Sequence, residues 1–108
     1  MTNPEVWKPV VGFEGRYEVS NLGRVKSLPR FRSPKENILK ASINKSSHWP
    51  VINLTTGVKG DRGKTFNVHT IMVQAFYGEP DSIEFINGDR TDVRLANLKL
   101  DWGLHKAV

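Results

Sequence analysis

A polar stretch towards the end of the chain carries the side chains best suited to metal or phosphate chemistry. Glu84, Asp89 and Asp92 lie there between apolar segments, and Asn97 follows directly before Leu98. Divalent cations such as Mg²⁺ prefer oxygen ligands, and strands on either side can hold a polar loop in place. The residue types therefore predict an oxygen-rich site, with Glu84 and Asp89 as the candidate metal ligands.

The same carboxylates also fit a structural role, in which they hydrogen-bond within the loop. Asp92 precedes Val93-Arg94-Leu95-Ala96 and is predicted to be the N-cap of a short helix there. Glu84 on its own would be a weak site, because a hard cation takes several oxygen ligands. At the level of the sequence both interpretations stay open.

Basic side chains are concentrated in the first part of the chain. Residues 1–64 hold 12 Lys or Arg against 5 Asp or Glu, whereas residues 65–108 hold 4 basic and 6 acidic residues. The formal net charge of +5 therefore comes from the front of the molecule, and it predicts a surface that binds a polyanion. Nucleic acid is the polyanion that this pattern favours.

The elements that must position these groups form an α+β pattern. Alternating residues predict a small N-terminal β-hairpin made by Tyr17–Val19 and Arg24–Ser27. Val25 should point into a small core with Tyr17 or Val19, and Trp7 and Phe13 are expected to cap that core. Residues 29–37 contain two prolines and three cations and are interpreted as a linker.

A second group of elements follows this linker. Strands are predicted at Ile38–Lys40 and Trp49–Leu54 with a turn between them, and Pro50 should start its strand or lie at an edge. Residues 49–68 read as a central β-hairpin whose connection, Gly57–Gly63, is expected to be a flexible loop carrying two cations. A short helix with core-facing apolar residues is predicted over Thr70–Phe76, and two strands should flank the polar loop.

The candidate DNA contacts rest on the strand geometry of the front hairpin and on a family resemblance that the same residues carry. Arg24 and Lys26 should share one face, because side chains alternate along a strand. The further candidates are Arg16 and Asn21, then Arg30 and Arg32 in the linker. Most such contacts would go to phosphate, which sets affinity rather than sequence preference; a solvated strand face would show the same pattern.

The composition excludes several classes of protein. The chain has no cysteine, which rules out a disulfide framework and a cysteine-ligated zinc site. It has no apolar run near 18 residues and no signal-peptide pattern. With 108 residues, we expect one domain, or one domain with an appended motif, in the cytoplasm and without a membrane partner.

Two segments resemble phage HNH homing endonucleases. Trp7 to Leu28, with the run Tyr17-Glu18-Val19-Ser20-Asn21-Leu22-Gly23-Arg24-Val25-Lys26-Ser27-Leu28, resembles their N-terminal DNA-binding motif, and residues 66–98 resemble their nuclease core. The resemblance implies a DNA binder with a ββα-metal core that holds one divalent cation. It divides the chain into an N-terminal DNA-binding motif (1–28), a basic linker (29–37) and an HNH-like core (38–108).

The resemblance also implies roles for individual residues. Glu84 matches the carboxylate or amide that precedes the catalytic histidine, and Phe85 stands where that histidine belongs. Asn97 matches the middle letter of the motif, which is structural, and His69 matches a recurring histidine that is not catalytic. The last metal ligand falls on Val108 or near Lys106, depending on register. The final helix of the core is expected to be truncated or missing.

The expected function follows from the replaced residues. Phe85 has no lone pair and cannot take a proton from water, so the sequence predicts a double-stranded DNA binder that does not cleave and needs no cofactor. One alternative is an HNH nickase or endonuclease that uses Mg²⁺ or Mn²⁺ in an unorthodox site built from Glu84, Asp89 or His105. The other is a phage protein that binds and inhibits a host or competitor protein. A phage origin would place the protein in the host-cell cytoplasm.

Overall fold

The computed structural model describes residues 4–29 and 35–102. Within these ranges the chain forms nine short strands, one α-helix and one 3₁₀ helix, and the strands make three antiparallel sheets. The predicted α+β class is confirmed. The expectation of a truncated or missing final helix falls on residues outside the described ranges, as do Arg30, Arg32, His105, Lys106 and Val108. None of the described helices is long and apolar enough to cross a membrane.

The front sheet has four strands in the order β1 (Trp7–Pro9), β2 (Tyr17–Ser20), β3 (Val25–Ser27) and β4 (Asn37–Leu39). The predicted hairpin is present as β2 and β3, and Val19 lies opposite Val25 with both side chains buried. Two strands extend this hairpin. β1 was not predicted, whereas β4 overlaps the strand predicted at Ile38–Lys40 but pairs with β3 and not with the strand at Trp49–Leu54. Each outer strand has only three residues, which is too short for a clear alternating pattern.

Trp7 and Phe13 have different surroundings, although both were predicted to cap the front core. Phe13 packs edge-on against Tyr17, with ring centroids 5.8 Å apart, and against Phe66 at 5.7 Å. Trp7 pairs with Ser20, so it shares the outer face of the sheet with Glu18 and not the core face with Val19. The prediction is thus confirmed for Phe13 and wrong for Trp7.

The second sheet consists of β5 (Ser42–Ile43), β6 (Pro50–Leu54) and β7 (Lys64–Asn67) in that order. The Asn44 side chain closes the predicted turn by accepting from the Ser46 and Ser47 amides at 2.8 and 3.0 Å. Pro50 is the first residue of β6, where its missing N–H costs least. The predicted central hairpin is confirmed as β6 and β7.

Helix α1 (Val68–Phe76) begins directly after β7, two residues earlier than predicted. Ile71, Met72 and Val73 are buried, and the helix packs against β1, β2, β6, β7 and the 3₁₀ helix. One apolar helix between two sheets lets a chain of this length bury a shared core. The helix therefore joins the front of the molecule to the segment that carries Glu84 and Asn97.

The last sheet is a two-stranded hairpin of β8 (Ser82–Phe85) and β9 (Leu98–Asp101). A 3₁₀ helix (Leu95–Asn97) precedes β9, with Arg94 rather than Asp92 at its N-cap position. The expectation that Asp92 caps a helix over residues 93–96 is wrong. Its carboxylate instead forms a bidentate pair with the Arg94 guanidinium at 2.7 and 2.8 Å.

The front turn at Gly23 meets the polar loop directly. Gly23 has φ +84°, and a Cβ there would collide with the side chain of Val93 and approach its carbonyl oxygen to 3.2 Å. Next to this contact, the Leu95 amide donates to the Asn21 carbonyl oxygen at 2.7 Å. Only glycine satisfies both the left-handed backbone and the close packing.

We expect Gly23→Ala to destabilise the protein by about 2 kcal/mol, the sum of left-handed strain and overpacking against Val93. Gly12→Ala is the matched control, because Gly12 has φ +88° with open space around its Cα. Its strain alone should cost about 1 kcal/mol. Urea denaturation of both variants measures the difference, and equal losses would show that the Val93 contact contributes nothing.

Candidate functional site

The polar loop between β8 and β9 is fixed by Asn97, which is 5% exposed. The Asn97 side chain accepts from the Asn87 amide at 3.1 Å and donates at 2.9 Å to the Asn87 side-chain oxygen. It also donates to the Asp92 carbonyl oxygen at 2.9 Å. These contacts tie Asn87, at the start of the loop, and Asp92, in its middle, to Asn97 directly before β9. The resemblance predicts a pinning role for Asn97.

Phe85, at the position of the expected catalytic histidine, belongs to an aromatic stack. Its ring lies edge-on to His69 at 5.2 Å, and His69 lies edge-on to Trp49 at 4.9 Å. His69 is buried, and burial lowers the pKa of its imidazole. Its Nδ1 has no hydrogen-bond partner among the described residues, so a neutral, packed imidazole fits this environment.

The described carboxylates do not form a set that fits a divalent cation. Glu84 lies exposed on β8 opposite Lys99. Asp89 accepts from the Thr91 hydroxyl at 2.6 Å and from the Thr91 amide at 2.9 Å, and the hydroxyl bond lowers the pKa of the Asp89 carboxyl. Over residues 4–29 and 35–102, no three His, Asp or Glu side chains are grouped as metal ligands.

Asp92, the third carboxylate of this stretch, is also hydrogen-bonded within the loop. Hydrogen bonds from the Arg94 guanidinium lower the pKa of Asp92 to about 2. The Asn87 side-chain amide donates to the same carboxylate at 3.0 Å. Asp92 therefore stabilises the loop and leaves Glu84 as the carboxylate of the three without a described hydrogen-bond donor.

Arg24 and Lys26 share one face, as predicted from the strand period, and Trp7 lies between them. The Arg24 guanidinium lies 5.6 Å from the Trp7 ring centroid and the Lys26 ammonium 4.4 Å. Both cations face acidic neighbours. Arg24 donates to Glu5 from Nε at 2.8 Å and from Nη2 to the second oxygen, which lowers the pKa of Glu5.

Lys26 is the more enclosed of the two cations. Its ammonium lies 3.5 Å from the Glu18 carboxylate and 3.3 Å from that of Glu36, and its side chain is 13% exposed. The Arg24 side chain, by comparison, is 51% exposed. Contact with phosphate would therefore require Lys26 to exchange its carboxylate partners, whereas Arg24 can reach solvent on its open side.

Asn21 and Arg16, the other predicted DNA contacts in the described residues, tie segments together. The Asn21 side chain accepts from the Val6 amide at 2.8 Å and donates to the Pro4 carbonyl oxygen at 3.2 Å. Arg16 donates from Nε to the Thr55 carbonyl oxygen at 2.9 Å and lies 5.7 Å from the Tyr17 ring centroid. Arg16 thus connects the front sheet to the base of the β6–β7 connection.

Arg90 and the basic residues around the β6–β7 connection were not among the contacts predicted from the sequence. Arg90 lies 5.7 Å from the Trp49 ring centroid and donates to the Ser47 carbonyl oxygen at 2.9 Å, which links the polar loop to the Asn44 turn. The second group is Lys59, Arg62 and Lys64, all exposed around the β6–β7 connection. Glycine recurs at every third position around Asp61, at Gly57, Gly60 and Gly63. This spacing fits an ordered loop, but it also fits a flexible linker.

Comparisons with known families agree with this arrangement. Residues 5–55 match the model of the NUMOD4 motif, and residues 66–100 match a model of HNH endonucleases. The first match includes the front sheet and the turn before β6. The second runs from β7 through α1 and the polar loop into β9.

Two curated relatives extend the same result over most of the chain. DNA endonuclease I-HmuI of Bacillus phage SP01 is 30% identical over 96 residues, covering 86% of this chain and 50% of the relative. An uncharacterized HNH endonuclease of Acanthamoeba polyphaga mimivirus is 27% identical over 103 residues, covering 93% of this chain and 27% of the relative. The chain thus spans about half the length of the first relative and about a quarter of the second.

A solved structure shares the fold. The structure that describes DNA binding and cleavage by the HNH homing endonuclease I-HmuI matches 94% of this chain and 54% of its own chain, with a TM-score of 0.69 and 33% sequence identity. The similarity covers the front sheet and the β8–β9 hairpin together. Over most of its length the chain is therefore similar to this HNH homing endonuclease, with a segment that matches the NUMOD4 motif followed by one that matches the HNH endonuclease model.

Proposed function

We propose that this protein binds double-stranded DNA and does not cleave it. The observation that carries the second half of the proposal is the position of Phe85, whose ring packs edge-on against His69 at the end of β8. A hydrolytic site needs a group that accepts a proton from water. Phenylalanine has no such group, and the buried His69 is held in the aromatic stack.

The donor set around the polar loop supports the same proposal. Asp89 and Asp92 are engaged by Thr91 and Arg94, and Glu84 supplies a single carboxylate. A hard cation takes several oxygen ligands, so the described residues give it little to bind. Hydrogen bonds with Asn97 still hold the loop in place. The core therefore keeps its scaffold without a proton-accepting group or a full set of metal ligands.

DNA binding is supported by the family and by the charge of the front half. I-HmuI binds DNA by the description of its solved structure, and residues 1–64 carry most of the positive charge. We propose residues 1–28 as the DNA-binding motif, 29–37 as a basic linker that includes Arg30 and Arg32, and 38–108 as the core. The protein would act in the cytoplasm of a phage-infected cell.

A metal-dependent nickase is the second candidate. The observation in its favour is that Glu84 stays exposed and close to an intact Asn97 loop. Such an enzyme would use Mg²⁺ or Mn²⁺, with Glu84 among the ligands, and Glu84→Ala would abolish its nicking. No described group takes the place of the missing base.

One experiment separates these possibilities. The natural chain and Phe85→His are incubated with supercoiled plasmid in Mg²⁺ and in Mn²⁺, and the same DNA is used in a gel shift. We expect the natural chain to bind DNA and leave the plasmid supercoiled. Nicking that EDTA stops would contradict the loss of cleavage, and failure to bind at low salt would contradict the DNA-binding proposal and direct attention to a protein partner.

A further inference from the structure

We propose that residues 55–64, the β6–β7 connection with the first residue of β7, form an ordered DNA contact that holds Lys59, Arg62 and Lys64 against the phosphate backbone. This inference rests on the proposed DNA binding and names a surface for it beyond the front sheet. We call this segment the tip loop. Its ligand is the phosphate backbone of a DNA duplex.

The two predicted DNA-contacting cations of the front sheet, Arg24 and Lys26, are already paired with carboxylates. Lys26 lies between Glu18 and Glu36, and Arg24 is paired with Glu5. Each pair cancels part of the positive potential that would attract phosphate. Exposed ion pairs of this kind are weak, but DNA must still replace the carboxylates before it gains these two contacts.

The tip loop, in contrast, carries cations without acidic partners. Lys59, Arg62 and Lys64 are exposed, and none of the three has an ion pair with a residue in the described ranges. Three cations within six positions give a local density of charge that suits successive phosphates along a strand. Val58 lies beside them with 67% of its surface exposed.

Asp61, the acidic residue of the tip loop, is exposed, but its carboxylate is hydrogen-bonded within the loop and braces it. Its Oδ2 accepts from the Thr56 amide and the Thr56 hydroxyl, both at 2.7 Å, and its Oδ1 accepts from the Gly63 amide at 2.8 Å. The hydroxyl bond and the amide bonds lower the pKa of Asp61 to about 2. In the loop that the sequence predicts to be flexible, these hydrogen bonds join Thr56 to Asp61 and Asp61 to Gly63.

The base of the tip loop is fixed to the rest of the protein. Arg16 reaches across from the front sheet to the Thr55 carbonyl oxygen at 2.9 Å. At Gly57 a Cβ would contact the Arg16 guanidinium, and at Gly63 it would come within 2.8 Å of the Leu54 carbonyl oxygen. A loop that is ordered before binding loses less conformational entropy when it meets its ligand. Arg16 is therefore a positioning residue for this surface.

The test is DNA affinity of the full chain as a function of salt. The triple variant Lys59→Gln, Arg62→Gln, Lys64→Gln should bind a duplex at least 10-fold more weakly, and the slope of log K against log salt should fall in magnitude by about 2–3. The control triple Lys40→Gln, Lys45→Gln, Lys99→Gln removes the same charge from exposed positions outside residues 1–28 and outside the tip loop. Its slope should change by less than about 1.

A second pair of variants, Asp61→Ala and Glu79→Ala, is expected to differ in its effect on DNA affinity although both remove one negative charge. Asp61→Ala removes a negative charge, which by itself would strengthen DNA binding, but it also removes the bonds that close the tip loop. We expect Asp61→Ala to weaken binding at least threefold. Glu79→Ala removes the same charge at an exposed position outside the tip loop and should leave binding unchanged or slightly tighter.

The outcomes distinguish this inference from the proposed function. If the natural chain fails to bind DNA, the proposed function fails. If it binds and both triple variants lose affinity equally, the contact at the tip loop is wrong while DNA binding stands. If Asp61→Ala behaves like Glu79→Ala, the bracing of the loop is irrelevant to binding and the inference is overturned.

Discussion

Asn97→Ala is expected to lower the free energy of unfolding by about 2–4 kcal/mol. The substitution removes three side-chain hydrogen bonds at a position that is 5% exposed. It leaves the Asp92 carbonyl oxygen and both Asn87 groups without these partners. Part of the loss is recovered where water can reach Asn87, which is exposed, so the cost should stay below the sum of three fully buried bonds.

The measurement is urea denaturation with Asn37→Ala as the control. Asn37 is exposed and makes one long contact, from its side-chain nitrogen to the Lys35 carbonyl oxygen at 3.4 Å. That control should change stability by less than about 0.5 kcal/mol. Amide exchange in residues 86–94 should increase in Asn97→Ala if the loop is released. If Asn97→Ala and Asn37→Ala have equal stability, the proposed structural role of Asn97 is wrong.

Met72→Ala is expected to have the other large effect, a loss of about 2–5 kcal/mol. Met72 is fully buried at 0% exposure, in the middle of α1. The helix packs against strands of both larger sheets, so the cavity would open where the two halves of the molecule meet. Side chains on rigid strands can fill it only in part, which adds a cavity term to the lost burial.

Thermal and urea unfolding of Met72→Ala measure this loss, with Val58→Ala as the matched control. Val58 is 67% exposed at the tip loop, and its truncation should stay within about 0.5 kcal/mol. If Met72→Ala also lowers DNA affinity at a temperature where the variant is folded, the packing of the core also supports the proposed DNA-binding surface. A stability loss below about 1 kcal/mol would contradict the central position of the helix.

The carboxylates paired with Arg24 and Lys26 lower the positive potential of the front sheet. Arg24 and Lys26 share a face with Trp7. Arg24 pairs there with Glu5, and Lys26 pairs with Glu18 and Glu36. Such a surface is less positive than its lysines and arginines suggest. The net charge of the front half is therefore carried by residues outside these pairs, and the tip loop gathers three of them.

Sequence alone determined the elements and the chemistry that belongs to single residues. The period of two placed Val19 and Val25 in the core and Arg24 with Lys26 on the other side, because backbone geometry fixes where alternate side chains point. Helical spacing located Ile71 and Met72 in the core for the same reason. The lack of a lone pair on Phe85 follows from the residue type and needs no structure.

Tertiary structure decided which partners these side chains have. Glu5 reaches Arg24 across 19 positions, and Arg16 reaches Thr55 across 39. No local pattern records such pairs, because they form only when separate strands are brought together by packing of the shared core. The same reason explains why Trp7 was placed on the wrong face, why β1 was missed and why β4 was assigned to the wrong partner strand: each depends on neighbours that are distant in the sequence.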